Sequence, residues 1–206
     1  MEQREMEQRE MEQQKLERRA LYGGAMSMDL PAGMVDVSRF REVPDNQEVF
    51  ADDGDRSVIV EILESVDVQG HDALRWHFAQ VAELNEARQE QKQQPPLCAE
   101  DLRLDAGGEA CVLAAEQRVA KFNERAANRV WLAMALLRVP DHAADVLVTM
   151  NWPLALDPAS SSAGPGSGSG SGSAAGGAPQ PEAAPSLALF KQMVRSLAIN
   201  DYGLFP

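Results

Sequence analysis

The stretch SVIVEIL, residues 57–63, decides the fold class. It is short, and Val58, Ile59, Val60 and Ile62 are β-branched, which marks a strand. Working outward, residues 71–85 place Leu74, Phe78 and Val81 at helical spacing, with Arg75, Glu83 and Glu86 available for the wet side. A polar loop follows at 91–96, closed by Pro95 and Pro96. Residues 110–121, 130–139 and 145–152 read as three further strands, with Val139-Pro140-Asp141 turning between the last two. The alanine and leucine content of the first two suits buried helices equally well. Near the end, Ser186 caps a helix whose stripe is Leu187, Phe190, Val194 and Leu197. A lone stripe is unstable in water, so this helix is expected to pack back on the sheet.

Two segments fall outside this pattern. The opening MEQRE-MEQRE-MEQQK repeats Met1, Met6 and Met11 every five positions, which walks around a helix instead of lining one side. Residues 1–20 are therefore expected to be a frayed, charged extension. Residues 157–185 comprise seven Gly, seven Ser, seven Ala and five Pro among 29 positions. With no large apolar side chain to offset the entropy of ordering, this segment reads as a flexible insertion. It carries neither a G-x-G-x-x-G fingerprint nor a Walker lysine. What remains is the size of one domain, expected over 21–206 with the insertion inside it.

The chain has 206 residues and a net charge of −13. That balance argues against nucleic-acid binding and against docking on anionic lipid, and favours a basic protein partner. No apolar run approaches the roughly 18–20 residues that span a bilayer. Cys98 and Cys111 are too few for a disulfide scaffold and have no metal-site company in sequence. A single bridge between them stays open, with free thiols preferred. The start has no apolar core of a signal peptide and is too acidic for a transit peptide, so a nuclear and cytoplasmic location is expected.

Catalytic signatures are missing. His71, His77 and His142 are scattered, with no HExxH or paired-cysteine context, and no G-x-S-x-G elbow occurs. His77, between Trp76 and Phe78, reads as a packed or half-exposed side chain and not as a catalytic one. Neither an enzyme nor a cofactor or metal is expected.

Acid stands out instead. Between residues 42 and 64, Glu42, Asp45, Glu48, Asp52, Asp53, Asp55, Glu61 and Glu64 face a single cation, Arg56, a net −7. Asp52, Asp53 and Asp55 read as an ordinary solvated loop. Glu61 differs, because a charge inside an apolar strand must reach water, a cation or a partner. Glu61 and Glu64 are three apart, which in an ideal strand puts them on opposite faces. They act together only if the strand ends, bulges or turns near Leu63.

LYGGAM from Leu21, DVSRFREVPDNQEVF from Asp36, SVIVEILESV from Ser57, ALLRVPDHAADVLVTMNWP from Ala135 and the closing helix together resemble one family. It is the Ran guanine nucleotide release factor family, the Mog-type nuclear transport proteins, and the similarity runs from about 21 to 156 and again over 186–205. The resemblance implies an α+β domain: a twisted, mostly antiparallel sheet with helices on its faces, similar to the photosystem oxygen-evolving protein. It also implies a monomer that binds the small GTPase Ran, promotes release of its nucleotide and supports nuclear import. The family's acidic pair falls at Glu61 and Glu64, with Asp45, Gln47 and Glu48 nearby. The alternative that the resemblance carries is an adaptor escorting a membrane protein such as an ion channel through another face.

Overall fold

The computed structural model describes residues 15–84, 99–120, 127–155 and 187–205. Its centre is a seven-stranded sheet in the order β3-β4-β5-β9-β8-β7-β6, antiparallel at every pairing. These strands are β3 (Val35–Asp36), β4 (Gln47–Ala51), β5 (Ser57–Glu64), β6 (Glu100–Arg103), β7 (Glu109–Ala120), β8 (Ala127–Val139) and β9 (Ala144–Ala155). A second, three-stranded sheet joins β1 (Leu16–Leu21), β2 (Met26–Pro31) and β10 (Ala198–Ile199), with β2 in the middle. Helix α1 (Gly70–Leu84) covers one face of the large sheet over β7 and β8, and α2 (Leu187–Arg195) packs on the other side together with the small sheet.

Strand β8 shows why its sequence resembled a buried helix. Leu132 through Leu137 are all buried, so no polar residue marks the period of two. The alternation is nevertheless present. Ala133, Ala135, Leu137 and Val139 enter the core beneath the small sheet and α2, while Leu132, Met134 and Leu136 enter the core beneath α1. A strand covered on both faces hides its pleat in a continuous apolar run. Strand β9 divides likewise, with Val146, Val148 and Met150 to the first core and Leu147 to the second.

The expected helix at 71–85 is α1, and Leu74 and Phe78 are its buried anchors. The closing helix packs as anticipated, but its stripe is Leu189, Phe190, Met193 and Val194, with Leu187 half-buried and Leu197 buried just past the end. Each such side chain contributes about 2 kcal/mol of burial. Arg18 ties this end of the chain to the small sheet, reaching the Ser196 carbonyl at 2.5 Å and Asp29 at 3.2 Å.

One boundary is corrected. The charged extension expected over 1–20 ends earlier, because β1 begins at Leu16 and pairs continuously with β2 from Leu16↔Pro31 to Leu21↔Met26. Arg18 and Arg19 find acceptors in Asp29 and the Met34 carbonyl, so charged side chains are compatible with this edge strand. The remainder of the repeat, the loop at 91–96, the insertion at 157–185, Cys98 and Ser186 lie outside the described residues. Cys111 is a free, half-buried thiol.

Candidate functional site

The site is built where β5 ends. Strand β4 meets β5 in the register Gln47↔Glu61 and Glu48↔Val60, and β5 meets β9 without interruption to Glu64↔Ala144. Before β4, Asn46 prolongs the ladder: its carbonyl accepts from Ile62 N at 2.9 Å, and its Nδ2 donates to the Ile62 carbonyl at 3.1 Å. This carries Asp45 to the end of β5. There Asp45 and Glu64, both exposed, line an open hollow of about 650 Å³ together with Tyr22, Ile62, His142 and Leu204.

Tyr22 forms one wall at a conformational cost. Its φ is +49°, in the left-handed region that an aromatic residue seldom occupies. Three contacts hold it there. Its N–H donates to Glu48 Oε1 at 2.6 Å, and its hydroxyl lies 2.9 Å from the carbonyls of both Asn46 and Val60. Gly23 and Gly24, also at positive φ, complete the turn into β2, a path that side chains with a Cβ rarely follow. Burial, with the charges of Glu48 and Glu61, pushes the Tyr22 phenol well above its ordinary pKa, so it stays a neutral donor. Ala143, with φ +47°, lines the same hollow. Two strained non-glycine residues at one depression mark it as a place where backbone conformation has been imposed.

A buried charge network fixes the floor behind Glu64. Asp145, fully buried, accepts from Arg138 Nε at 2.7 Å and Nη2 at 2.8 Å, and lies 3.0 Å from His77 Nε2. Arg138 also donates to the Val68 carbonyl at 2.6 Å, and Val66 N donates to Asp145 at 3.4 Å. The loop from Glu64 to α1 is thereby tied to β8 and β9. Burial alone would raise the Asp145 pKa, but the bonds from Arg138 and His77 outweigh it and hold the group at about 2. Of the two placements its neighbours left open, His77 takes the packed one.

The predicted residues do not form one cluster on one face. Glu64 shares its side of β5 with Val58, Val60 and Ile62, whereas Glu61 shares the other with Ile59 and Leu63. The β5–β9 register shows no irregularity before Glu64, so the bulge that would bring the two glutamates together is missing. Glu61 instead accepts from Gln47 Nε2 at 2.6 Å, and Glu48 is held by Tyr22. Among the described residues, no ion pair involves Asp45, Glu48, Glu61 or Glu64. The five do meet at one corner of the sheet. Strand β3 pairs only with Phe50 and Ala51, so the outer side of β4 from Gln47 to Val49 carries no strand among the described residues.

Sequence reasoning missed Tyr22, His142 and Leu204. His142 stacks on Tyr202 with ring centroids 5.9 Å apart and packs on Phe205 at 5.4 Å. No local motif signals that contact, which joins residues about sixty positions apart. Asp52, expected to be an ordinary solvated loop residue, is instead engaged within its own turn. Its Oδ1 accepts from Gly54 N at 2.9 Å and Arg56 N at 3.2 Å, and its other oxygen takes the Arg56 guanidinium, which lies 4.6 Å from the Trp152 ring centre. It shapes the β4–β5 turn.

With this geometry in place, comparison with known proteins gives a consistent result. The family described as Ran-interacting Mog1 protein matches residues 19–153. The Ran guanine nucleotide release factors of Homo sapiens and Bos taurus are 42% and 41% identical over 189 residues, covering 90% of this chain and 94% of each relative. The nuclear import protein MOG1 of Saccharomyces cerevisiae is 31% identical over 69% of both chains. The crystal structure of the Saccharomyces cerevisiae Ran-binding protein Mog1p superposes with a TM-score of 0.62 at 25% identity, covering 93% of this chain and 99% of that one. The chain belongs to the Mog1 family.

Proposed function

We propose that this protein binds the small GTPase Ran and promotes release of its guanine nucleotide, in support of nuclear protein import, from the nucleus and cytoplasm. The observation that carries the reading is the corner of the large sheet, where Asp45, Glu48, Glu61 and Glu64 have no internal ion-pair partner among the described residues. Carboxylates without an internal cation are suited to basic side chains on a partner, where charge-assisted bonds set orientation and association rate. The hollow beside them is lined by apolar Ile62 and Leu204 as well as by the acids Asp45 and Glu64. That combination fits a long basic side chain, which buries its aliphatic stem while its head meets a carboxylate.

A release factor makes and breaks no covalent bond. It must bind the nucleotide-free GTPase more tightly than the loaded form, and by linkage the nucleotide then weakens the factor by the same ratio. Glu61 and Glu64 are assigned to this contact although they leave opposite faces of β5, since a partner seated over the corner reaches both. Asp45, Gln47 and Glu48 complete the proposed footprint, and the protein acts as a monomer.

The deciding experiment is release of labelled GDP and GTP from purified Ran with and without this protein, paired with a binding titration. Acceleration of release, lost in Glu64→Lys and Glu61→Lys, supports the proposal. Binding without acceleration would replace it with an adaptor role. Unchanged affinity in both variants would move the interface elsewhere.

A further inference from the structure

On the α1 side of the sheet, away from the acidic corner, three side chains of different chemistry converge. Asp101 of β6 and Cys111 of β7 are direct partners in the antiparallel register, so their side chains leave the same face. The first turn of α1 passes over that face and brings His71 to it. His71 Nε2 lies 2.8 Å from Asp101 Oδ1, and the Cys111 thiol donates to the same oxygen at 3.5 Å. The three potential ligand atoms all lie within 4.8 Å of one another. In sequence these residues are 30 and 10 positions apart, which no metal-binding motif anticipates.

We propose that His71, Asp101 and Cys111 form a binding site for a divalent cation of the zinc class. The donor set is one imidazole nitrogen, one thiolate sulfur and one carboxylate oxygen, the combination that borderline-soft d-block ions prefer and that magnesium and calcium do not. The spacing agrees. Around a tetrahedral zinc ion with ordinary bond lengths, neighbouring donors stand about 3.3–3.6 Å apart. The Cys111–Asp101 separation of 3.5 Å lies within that range, and the His71–Asp101 separation of 2.8 Å is shorter, so the imidazole and carboxylate must part by about 0.5 Å, within reach of rotamer adjustments, to admit the ion.

The surroundings favour occupancy. Asp101 is 71% exposed and His71 35%, which leaves a path for the ion and room for water at the fourth position. Cys111 is held half-buried against the α1 core, and two of the three ligands sit on paired strands, so little ordering remains to be done. Of the other charges felt at Cys111, Glu109 is attractive to a cation, and Arg138 is already engaged by Asp145. The ion would bind with loss of the thiol proton to solvent.

The test uses the full chain. Cobalt(II) titration should give visible d–d bands with a thiolate-to-metal charge-transfer band, and zinc should displace the cobalt stoichiometrically at one ion per chain. Cys111→Ser should abolish the charge-transfer band, and His71→Ala and Asp101→Asn should each weaken zinc binding by about tenfold or more. Cys98→Ser should change neither. Excess zinc should raise the Tm of the parent chain but not of Asp101→Asn, a variant at an exposed position whose circular dichroism reports whether it is folded. Absence of saturable zinc binding, a charge-transfer band that survives Cys111→Ser, or one that disappears in Cys98→Ser would overturn the assignment and leave an ordinary His–Asp ion pair beside a thiol.

Discussion

The peptide N–H of Tyr22 donates to a carboxylate oxygen of Glu48 across 2.6 Å, linking the first turn of the small sheet to the second residue of β4. The bond does two things. It satisfies an N–H in a turn whose backbone is strained, and it fixes the aromatic wall of the hollow relative to the β4–β5 edge. Glu48 therefore has an internal duty that Asp45 and Glu64 do not share.

Replacing Glu48 by alanine should accordingly lower stability by about 1–3 kcal/mol, the penalty of leaving a part-buried donor without its acceptor. Glu48→Gln keeps an acceptor oxygen and should lose less. Urea unfolding of both variants measures the difference. Equal losses would mean that the carboxylate, through its charge and not its acceptor geometry, is what Tyr22 requires.

Glu61 and Glu64 leave opposite faces, about 10 Å apart along β5 by strand geometry. Residues that distant contribute additively. Glu61→Gln and Glu64→Gln should each weaken Ran binding about five- to tenfold, and the double variant should show the product of the two effects. The Tm should stay within a few degrees of the parent. Because the proposed contact is electrostatic, affinity should also fall as salt rises, with a shallower slope in either variant. A strongly non-additive double mutant would place both carboxylates on one shared cation.

The Asp145 network has a definite pH signature. Its carboxyl is held at about 2, below the ordinary aspartate value of about 3.9. A depressed folded-state pKa gives stability that is fully present above the unfolded value and is lost as pH falls through the folded one. The contribution is therefore about 2 kcal/mol above pH ~4, declining toward pH ~2. Asp145→Asn should cost about 3–5 kcal/mol at neutral pH, since it strands the Arg138 guanidinium without its counter-charge. The gap between parent and variant should shrink between pH 5 and pH 2, as read from denaturant midpoints. A gap that does not change with pH would assign the loss to packing.

At Ala143 the backbone is held at φ +47°, where a β-carbon is unfavourable. Ala143→Gly should raise stability by about 0.5–1 kcal/mol, in contrast to the loss that glycine causes in ordinary strands or helices. Thermal unfolding decides the sign.

How far the sequence revealed this molecule depended on whether a signal was local. Strand β5 was legible because β-branched residues crowd Val58–Ile62, and α1 because Leu74 and Phe78 are one turn apart. Strands β7 and β8 were ambiguous, since burial on both faces removed the polar half of their alternation. The small sheet went unread. Leu16–Leu21 sets three charged residues in a row, Glu17, Arg18 and Arg19, beside a helix-favouring repeat, so no period of two shows, and β10, which pairs with β2, is only two residues long. At the site, the acids of the 42–64 stretch announced themselves by charge, and strand periodicity correctly warned that Glu61 and Glu64 diverge. The walls contributed by Tyr22, His142 and Leu204 arise from contacts between distant segments, which no short window contains.

The last described segment, 187–205, places Phe190, Met193, Val194, Leu197 and Phe205 in the main core, pairs β10 with β2, and sets Phe205 against His142 beside the hollow. Those buried contacts hold it to the rest of the chain. A cut engineered between residues 157 and 185 should thus yield two fragments that copurify and reconstitute one another, so the protein can be handled as a split pair whose reassembly restores the acidic corner.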